Sequence, residues 1–158
     1  MIIRASADFT RPSNVTAYSG GDVIGPASGQ GLIPIAVPFA KVNVVGALVE
    51  SNATQDPGGG LWIVSSSSFA PGLDNAALTY PGLSDGFCGL IFLEALPAGN
   101  ALVGTPATST YIKLNSPVNV VGNTIYAALM AGTGFTPASG QQFRITLHCD
   151  VPALEARF

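Results

Sequence analysis

The apolar residues of this chain come in short runs or alternate with polar residues, and no segment shows a convincing helical period. Turn-forming residues interrupt these runs throughout, since 19 glycines and 12 prolines occur among the 158 residues. Short, alternating segments separated by frequent turns are typical of β-sandwiches and β-barrels. We therefore predict an all-β fold of about eight to ten short strands, a jelly-roll-like β-sandwich.

Three segments carry clear strand patterns, and a fourth is ambiguous. Residues 41–51 and 143–151 alternate, and strict alternation would place Val42, Val44, Gly46 and Leu48 on one face of the first. Residues 87–96 are almost continuously apolar, which predicts a buried strand with contacts on both faces. Residues 123–131 combine helix-favouring and strand-favouring side chains, and the short length favours a strand.

The first twenty residues are mostly polar and contain too few apolar side chains for a core of their own. We predict an extended N-terminal arm over residues 1–20 and a single β-sandwich domain over residues 21–158. The alternative is that the arm forms an edge strand of its own sandwich.

Charged residues make up only 9% of the chain, against about 25% in an average soluble domain. Mean hydropathy is +0.43, so we expect part of the surface to be covered by partners. No apolar run approaches the roughly 20 residues of a membrane-spanning helix, and the N-terminus lacks the apolar segment of a secretory signal. The Lys and Arg residues are scattered and the net charge is −3, which argues against nucleic-acid binding.

Side chains suited to catalysis are sparse. His148 is the single histidine and lies within an alternating strand, while Cys88 and Cys149 lack metal-ligand spacing and fit buried thiols. No G-x-S-x-G motif occurs, and the aspartates stand in turn contexts. We therefore predict no catalytic residue, no cofactor site and no metal site, and the chain is not expected to be an enzyme. The Tyr residues and Trp62 could form a sugar-binding platform, although aromatic side chains on strands usually pack in cores or interfaces.

Three stretches resemble segments of a family of tailed-bacteriophage head proteins. They are FTRPSNVTAYSGGDVIG at residues 9–25, LTYPGLSDGFCGLIFLEAL at 78–96 and IYAALMAGTGFTPASGQQFRITL at 125–147. Together they cover about half the chain, and their order is more specific than any one of them. The resemblance implies a jelly-roll decoration, or cement, protein. Such a protein sits on the outer capsid surface of the virion and clamps subunits of the major capsid protein, often as a trimer.

The predicted arm supplies candidate contacts with the capsid. Its apolar side chains could pack into grooves of a neighbour, an extended strand can join a partner's sheet edge, and an arginine can pair with a partner carboxylate. The candidate contact residues are Ile2, Ile3, Phe9, Arg11, Pro12 and Tyr18.

A homotrimer would hide a charge-poor surface against copies of itself, and a local threefold position on a capsid favours three copies. The alternative function is a trimeric jelly-roll host-attachment module, from a head or tail fibre, that binds a glycan or receptor. A cement protein should have broad contacts on one face, whereas an attachment module should expose an aromatic or charged pocket.

Overall fold

A computed structural model of the chain describes residues 1–53, 58–93 and 108–152. These residues form nine strands and one 3-10 turn at Leu83–Asp85, and they contain no α-helix. The strands are β1 (Ile2–Thr10), β2 (Val23–Ile24), β3 (Ile33–Ala36), β4 (Lys41–Ser51), β5 (Gly59–Val64), β6 (Phe87–Leu93), β7 (Thr108–Val121), β8 (Thr124–Met130) and β9 (Gln142–Asp150). The ambiguous segment 123–131 is therefore a strand, as its length predicted.

The strands form two antiparallel sheets that make a sandwich. The four-stranded sheet has the order β1-β9-β4-β7, and the five-stranded sheet has the order β2-β8-β5-β6, with β3 also paired to β8. Each sheet thus interleaves strands from both halves of the chain, as the two Greek keys of a jelly roll do. The prediction of an all-β, jelly-roll-like sandwich is confirmed.

The core lies between the two sheets and is made of aliphatic and aromatic side chains. Its fully buried members include Val42, Val44, Leu61, Ile63, Ile125, Leu129, Ile145 and Leu147. The alternation predicted for residues 143–151 is confirmed, because Phe143 and Cys149 are also buried whereas Arg144 is exposed. A core of this kind stabilises the fold mainly by removing apolar surface from water.

Strand β4 departs from the predicted strict alternation. Val42 and Val44 face the core, but the next inward side chains are Ala47 and Val49 rather than Leu48. The register of β4 shifts between Val44 and Gly46 against both of its neighbours. An extra residue in a β-bulge reverses the faces of all later side chains in the strand, which no alternation pattern can reveal.

Within the described residues only one face of strand β6 is buried, so the prediction of a strand buried on both faces is wrong there. Ile91 and Leu93 are buried in the core, whereas Phe87 and Phe92 are exposed on the opposite face. The reason is that the core covers only the inner face of this sheet, so the side chains that alternate with Ile91 and Leu93 point outward. Residues 94–96 of the predicted strand lie outside the described residues.

The predicted N-terminal arm is wrong over its first half. Residues 2–10 form β1, which pairs with β9 along its whole length, from Ile2 opposite Asp150 to Thr10 opposite Gln142. The alternative of an edge strand is therefore correct. Pairing satisfies the backbone groups of this segment and lets Phe9 stack on Phe143, with ring centroids 5.4 Å apart. The predicted boundary at residue 20 thus falls after a strand that belongs to the sandwich.

Replacing Phe9 with alanine tests whether β1 is part of the core. Phe9→Ala removes a buried ring and its stacking contact with Phe143, so we expect the free energy of unfolding to fall by about 3–5 kcal/mol. Ile2→Ala is the control, because Ile2 lies on the same strand with an exposed side chain and should change stability by about 0.5 kcal/mol or less. Urea unfolding followed by circular dichroism measures both, and equal stabilities of the two variants would contradict the edge-strand placement.

Candidate functional site

The two sheets differ sharply in charge. The strands of the five-stranded sheet contain no Asp, Glu, Lys, Arg or His. The strands of the four-stranded sheet carry Arg4, Asp8, Lys41, Glu50, Lys113, Arg144, His148 and Asp150. Because charged side chains need water or a counter-charge, the outer face of the four-stranded sheet suits solvent.

Charges on the four-stranded sheet pair across neighbouring strands. Asp8, Arg144 and Glu50 lie side by side on β1, β9 and β4. The Arg144 guanidinium donates to both carboxylate oxygens of Asp8, from Nε at 2.7 Å and from Nη2 at 2.9 Å. These hydrogen bonds, with the positive charge, hold the pKa of Asp8 below its ordinary value. The pair is solvent-exposed, so it orders the surface more than it stabilises the fold.

A loop covers part of the outer face of the five-stranded sheet. Phe69 and Leu78 of this loop form a second apolar cluster with Val23, Val64 and Ala128 of the sheet. The loop also bonds to strand β2, because the Val23 N–H donates to Ala76 O at 2.8 Å. We call residues 65–80 the cover loop. The cover loop therefore shields the side of the sheet near β2 and β8.

The other side of the same face carries exposed aromatic side chains. Trp62 contacts Tyr80 and Phe87, with ring centroids 5.3 Å and 5.7 Å apart. Phe92 lies diagonally from Trp62 across the β5–β6 pairing and is 72% exposed, while Tyr80 is 66% exposed. We call Trp62, Tyr80, Phe87 and Phe92 the aromatic patch. The aromatic patch lies on the same outer face of the five-stranded sheet that the cover loop partly shields.

Trp62 also leaves a hydrogen-bond donor unused. Its indole Nε1 is buried and has no acceptor within the described residues. A buried N–H without an acceptor is destabilising by roughly 1–3 kcal/mol, and native structures usually avoid it. Within the described residues, the indole N–H of Trp62 therefore has no hydrogen-bond acceptor.

A buried polar cluster holds the cover loop to the N-terminal segment. The Arg11 guanidinium donates from Nε to Tyr18 Oη, from Nη2 to Asp74 Oδ2 at 3.2 Å and from Nη1 to Ala138 O at 3.2 Å. Asp74 also accepts from the Tyr18 hydroxyl and, at 2.9 Å, from the Gly25 N–H. We call Arg11, Tyr18 and Asp74 the Arg11 cluster. It joins the segment after β1, the cover loop and the turn before β9.

Burial and hydrogen bonding set the protonation of the Arg11 cluster. Burial raises the pKa of Tyr18 well above its ordinary value, and the hydrogen bond to the Asp74 carboxylate acts in the same direction. Tyr18 therefore stays protonated and donates its hydroxyl proton to Asp74. The Tyr18 ring stacks on Phe135 with centroids 4.9 Å apart, which fixes its orientation. The cluster is a structural element of the interior.

The structure separates the six predicted contact residues. Phe9, Arg11 and Tyr18 are buried inside the chain's own fold, so this arrangement leaves their side chains little surface for a capsid contact. Ile3 and Pro12 are half-buried. Ile2 is 59% exposed at the start of β1, and its capsid contact stays a prediction. Arg11 and Tyr18 do meet, but their shared partner is Asp74 rather than another protein.

Sequence reasoning singled out Trp62 and the Tyr residues but missed Asp74 of the interior cluster. Asp74 precedes Asn75 in a turn context, and nothing in the pattern indicates that its carboxylate faces a buried guanidinium 63 residues earlier. The aromatic patch did leave a signal, because the continuous apolar run of β6 predicted contacts on two faces. Only one of those faces is filled by described parts of the chain.

Other chemistry is sparse among the described residues. Cys88 and Cys149 are free thiols, and burial raises the pKa of Cys149 to about 11. Within residues 1–53, 58–93 and 108–152, no group of three or more His, Cys, Asp or Glu could hold a metal ion. The same residues include no helix that is long and apolar enough to span a membrane.

Comparison with known proteins adds little. No protein-family model matches the chain, and no curated protein matches it. Among solved structures, it is similar to the coat protein of Tobacco streak virus, with 10% identity, 94% of this chain and 88% of that chain covered, and a TM-score of 0.28. Likeness of this degree supports neither a shared fold nor a shared function. The jelly-roll assignment therefore stands on the strand order alone.

Replacing Arg11 with methionine tests the Arg11 cluster. Arg11→Met leaves the Asp74 carboxylate buried without its counter-charge, so we expect the free energy of unfolding to fall by about 3–5 kcal/mol. Arg144→Met breaks the exposed pair with Asp8 and should leave the unfolding midpoint close to that of the parent chain. Thermal and urea unfolding compare the two variants. A stable Arg11→Met chain would show that the cover loop does not depend on this pair.

Proposed function

We propose that this chain is a virion structural protein, a decoration or cement protein on the outer capsid surface of a tailed bacteriophage. Its partner would be the major capsid protein, whose subunits it bridges by non-covalent contacts. Its working form would be a homotrimer. The role needs neither an enzymatic activity nor a cofactor.

The observation that carries this proposal is the uncharged five-stranded sheet with its exposed aromatic patch. A protein that works alone in water seldom leaves a contiguous aromatic face uncovered, whereas an assembly protein requires one. The jelly-roll fold is compatible with this role but does not decide it, because the same fold serves capsid proteins, lectins and enzymes. The resemblance of the three segments to phage head proteins supplies the capsid as the assembly.

The capsid contact is proposed for the exposed start of β1. Met1 and Ile2 present apolar side chains to solvent, beside the ion pair between the N-terminal amine and Asp150. This edge belongs to the charged four-stranded sheet, so a contact here would combine a small apolar anchor with a polar rim. The proposal replaces the six-residue arm surface predicted from the sequence.

Binding to capsids tests the proposed function directly. The full chain should co-sediment with capsids assembled without it and should raise their resistance to heat. Ile2→Ser should weaken this binding by about ten- to a hundredfold, since burial of an isoleucine side chain contributes about 1.5–3 kcal/mol. Val15→Ser is the matched control, because Val15 is equally exposed at 59% but lies outside the proposed contact. A parent chain that stays in the supernatant would contradict the capsid role.

The aromatic patch also supports a second candidate function. Trp62, Tyr80 and Phe87 together offer aromatic rings of the kind that stack on sugars, which fits a host-attachment module that binds a glycan. Saturation-transfer NMR with a panel of mono- and oligosaccharides separates the two functions. Specific saturation transfer that is lost in Trp62→Ala would favour attachment, and its absence together with capsid binding would favour the cement role.

A further inference from the structure

The open edge of the five-stranded sheet lies beside the aromatic patch. One side of β6 pairs with β5, and its other side pairs with no strand among the described residues. Sheet edges in soluble proteins are usually protected by charged residues, proline or a covering segment. The sequence of β6, FCGLIFL, offers neither a charge nor a proline. Among the described residues, edge and patch therefore form one surface that no strand or charged side chain protects.

Charge restricts what can cover this surface. A partner that presents Lys, Arg, Asp or Glu would lose hydration at those groups and would find no counter-charge on a sheet that has none. The outer face of this chain's own four-stranded sheet is excluded on that ground, because it carries Arg4, Asp8 and Arg144. The five-stranded sheet of another copy has the required chemistry, since it is equally apolar and equally free of charge.

Symmetry makes a like-with-like contact possible. In a closed ring of identical subunits, residues close to the symmetry axis contact their own equivalents in the neighbouring copies. An uncharged aromatic surface tolerates such self-contact, whereas a charged surface would repel itself. A position at the axis also shields the β6 edge from further strand pairing, which limits assembly to a closed ring.

We propose that a second copy of this chain covers the aromatic patch, so that Trp62, Tyr80, Phe87 and Phe92 line the subunit interface of a homo-oligomer. The inference rests on the proposed function, because it names the surface through which the proposed trimer would form. Capsid binding is assigned to the start of β1 on the other sheet, so the two proposals involve different residues and separate measurements.

A charge placed in the patch tests the interface. Phe92→Asp adds a carboxylate to the centre of the proposed contact, where association would bury it unpaired. Val121→Asp is the matched control, because Val121 is 66% exposed at the end of β7 in the other sheet. By light scattering at micromolar concentration, the parent chain and Val121→Asp should have the mass of three chains. Phe92→Asp should have the mass of one.

Trp62 provides a second readout, because it is the single tryptophan of the chain. Diluting the parent chain should shift the tryptophan emission to longer wavelength as the subunits separate and water reaches the indole. Phe92→Asp should show the long-wavelength emission at every concentration. Circular dichroism checks that this variant is folded, and Tyr80→Asp, in the cover loop, is the second variant with the same expected mass and emission.

Two outcomes would overturn the inference. One is a parent chain that is monomeric at micromolar concentration, and the other is a trimer that persists in both Phe92→Asp and Tyr80→Asp. A parent chain that forms a trimer through the patch but does not bind capsids would overturn the proposed function and leave this inference intact. If the parent chain binds capsids but both patch variants remain trimeric, this inference is overturned and the proposed function stands.

Discussion

Burial of the apolar side chains of a sheet without a charged residue is the constraint from which most of this structure follows. The inner face of the five-stranded sheet packs against the four-stranded sheet and supplies half of the core. Its outer face is partly shielded by the cover loop, through Phe69 and Leu78. The aromatic patch is another part of that face, and it remains exposed in the described part of the chain.

The Arg11 cluster explains how an otherwise irregular cover loop is held in place. A loop has no ladder of its own, so its position depends on a few contacts with the sheets. Here the Asp74 carboxylate receives hydrogen bonds from Arg11, Tyr18 and the Gly25 N–H, which all lie between residues 11 and 25, so they tie the cover loop to that segment. A buried ion pair of this kind contributes little net stability but makes loss of one partner severe. The Arg11–Asp74 pair therefore favours one arrangement of the cover loop over others.

The two sheets differ in charge, and this difference is the main feature that bears on function. Charged side chains on the four-stranded sheet pair with each other across strands, as Asp8 and Arg144 do, and this face can remain hydrated. The five-stranded sheet gains from association because contact removes aromatic surface from water at no cost in charge desolvation. The proposed trimer would use the uncharged sheet, and the proposed capsid contact would use an edge of the charged one.

The sequence by itself determined the fold class and the inward residues of regular strands. Alternation in residues 143–151 and the turn spacing depend only on near neighbours, which is why β9 and the sandwich could be predicted. The bulge in β4, the pairing of β1 with β9 and the meeting of Arg11 with Asp74 depend on residues far apart in the chain. No local pattern encodes such contacts, so only the tertiary structure could turn a predicted arm into an edge strand and a predicted contact arginine into a buried one. It likewise decided that Phe87 and Phe92 both face outward, because the register of β6 against β5 shifts between Ile63 and Val64.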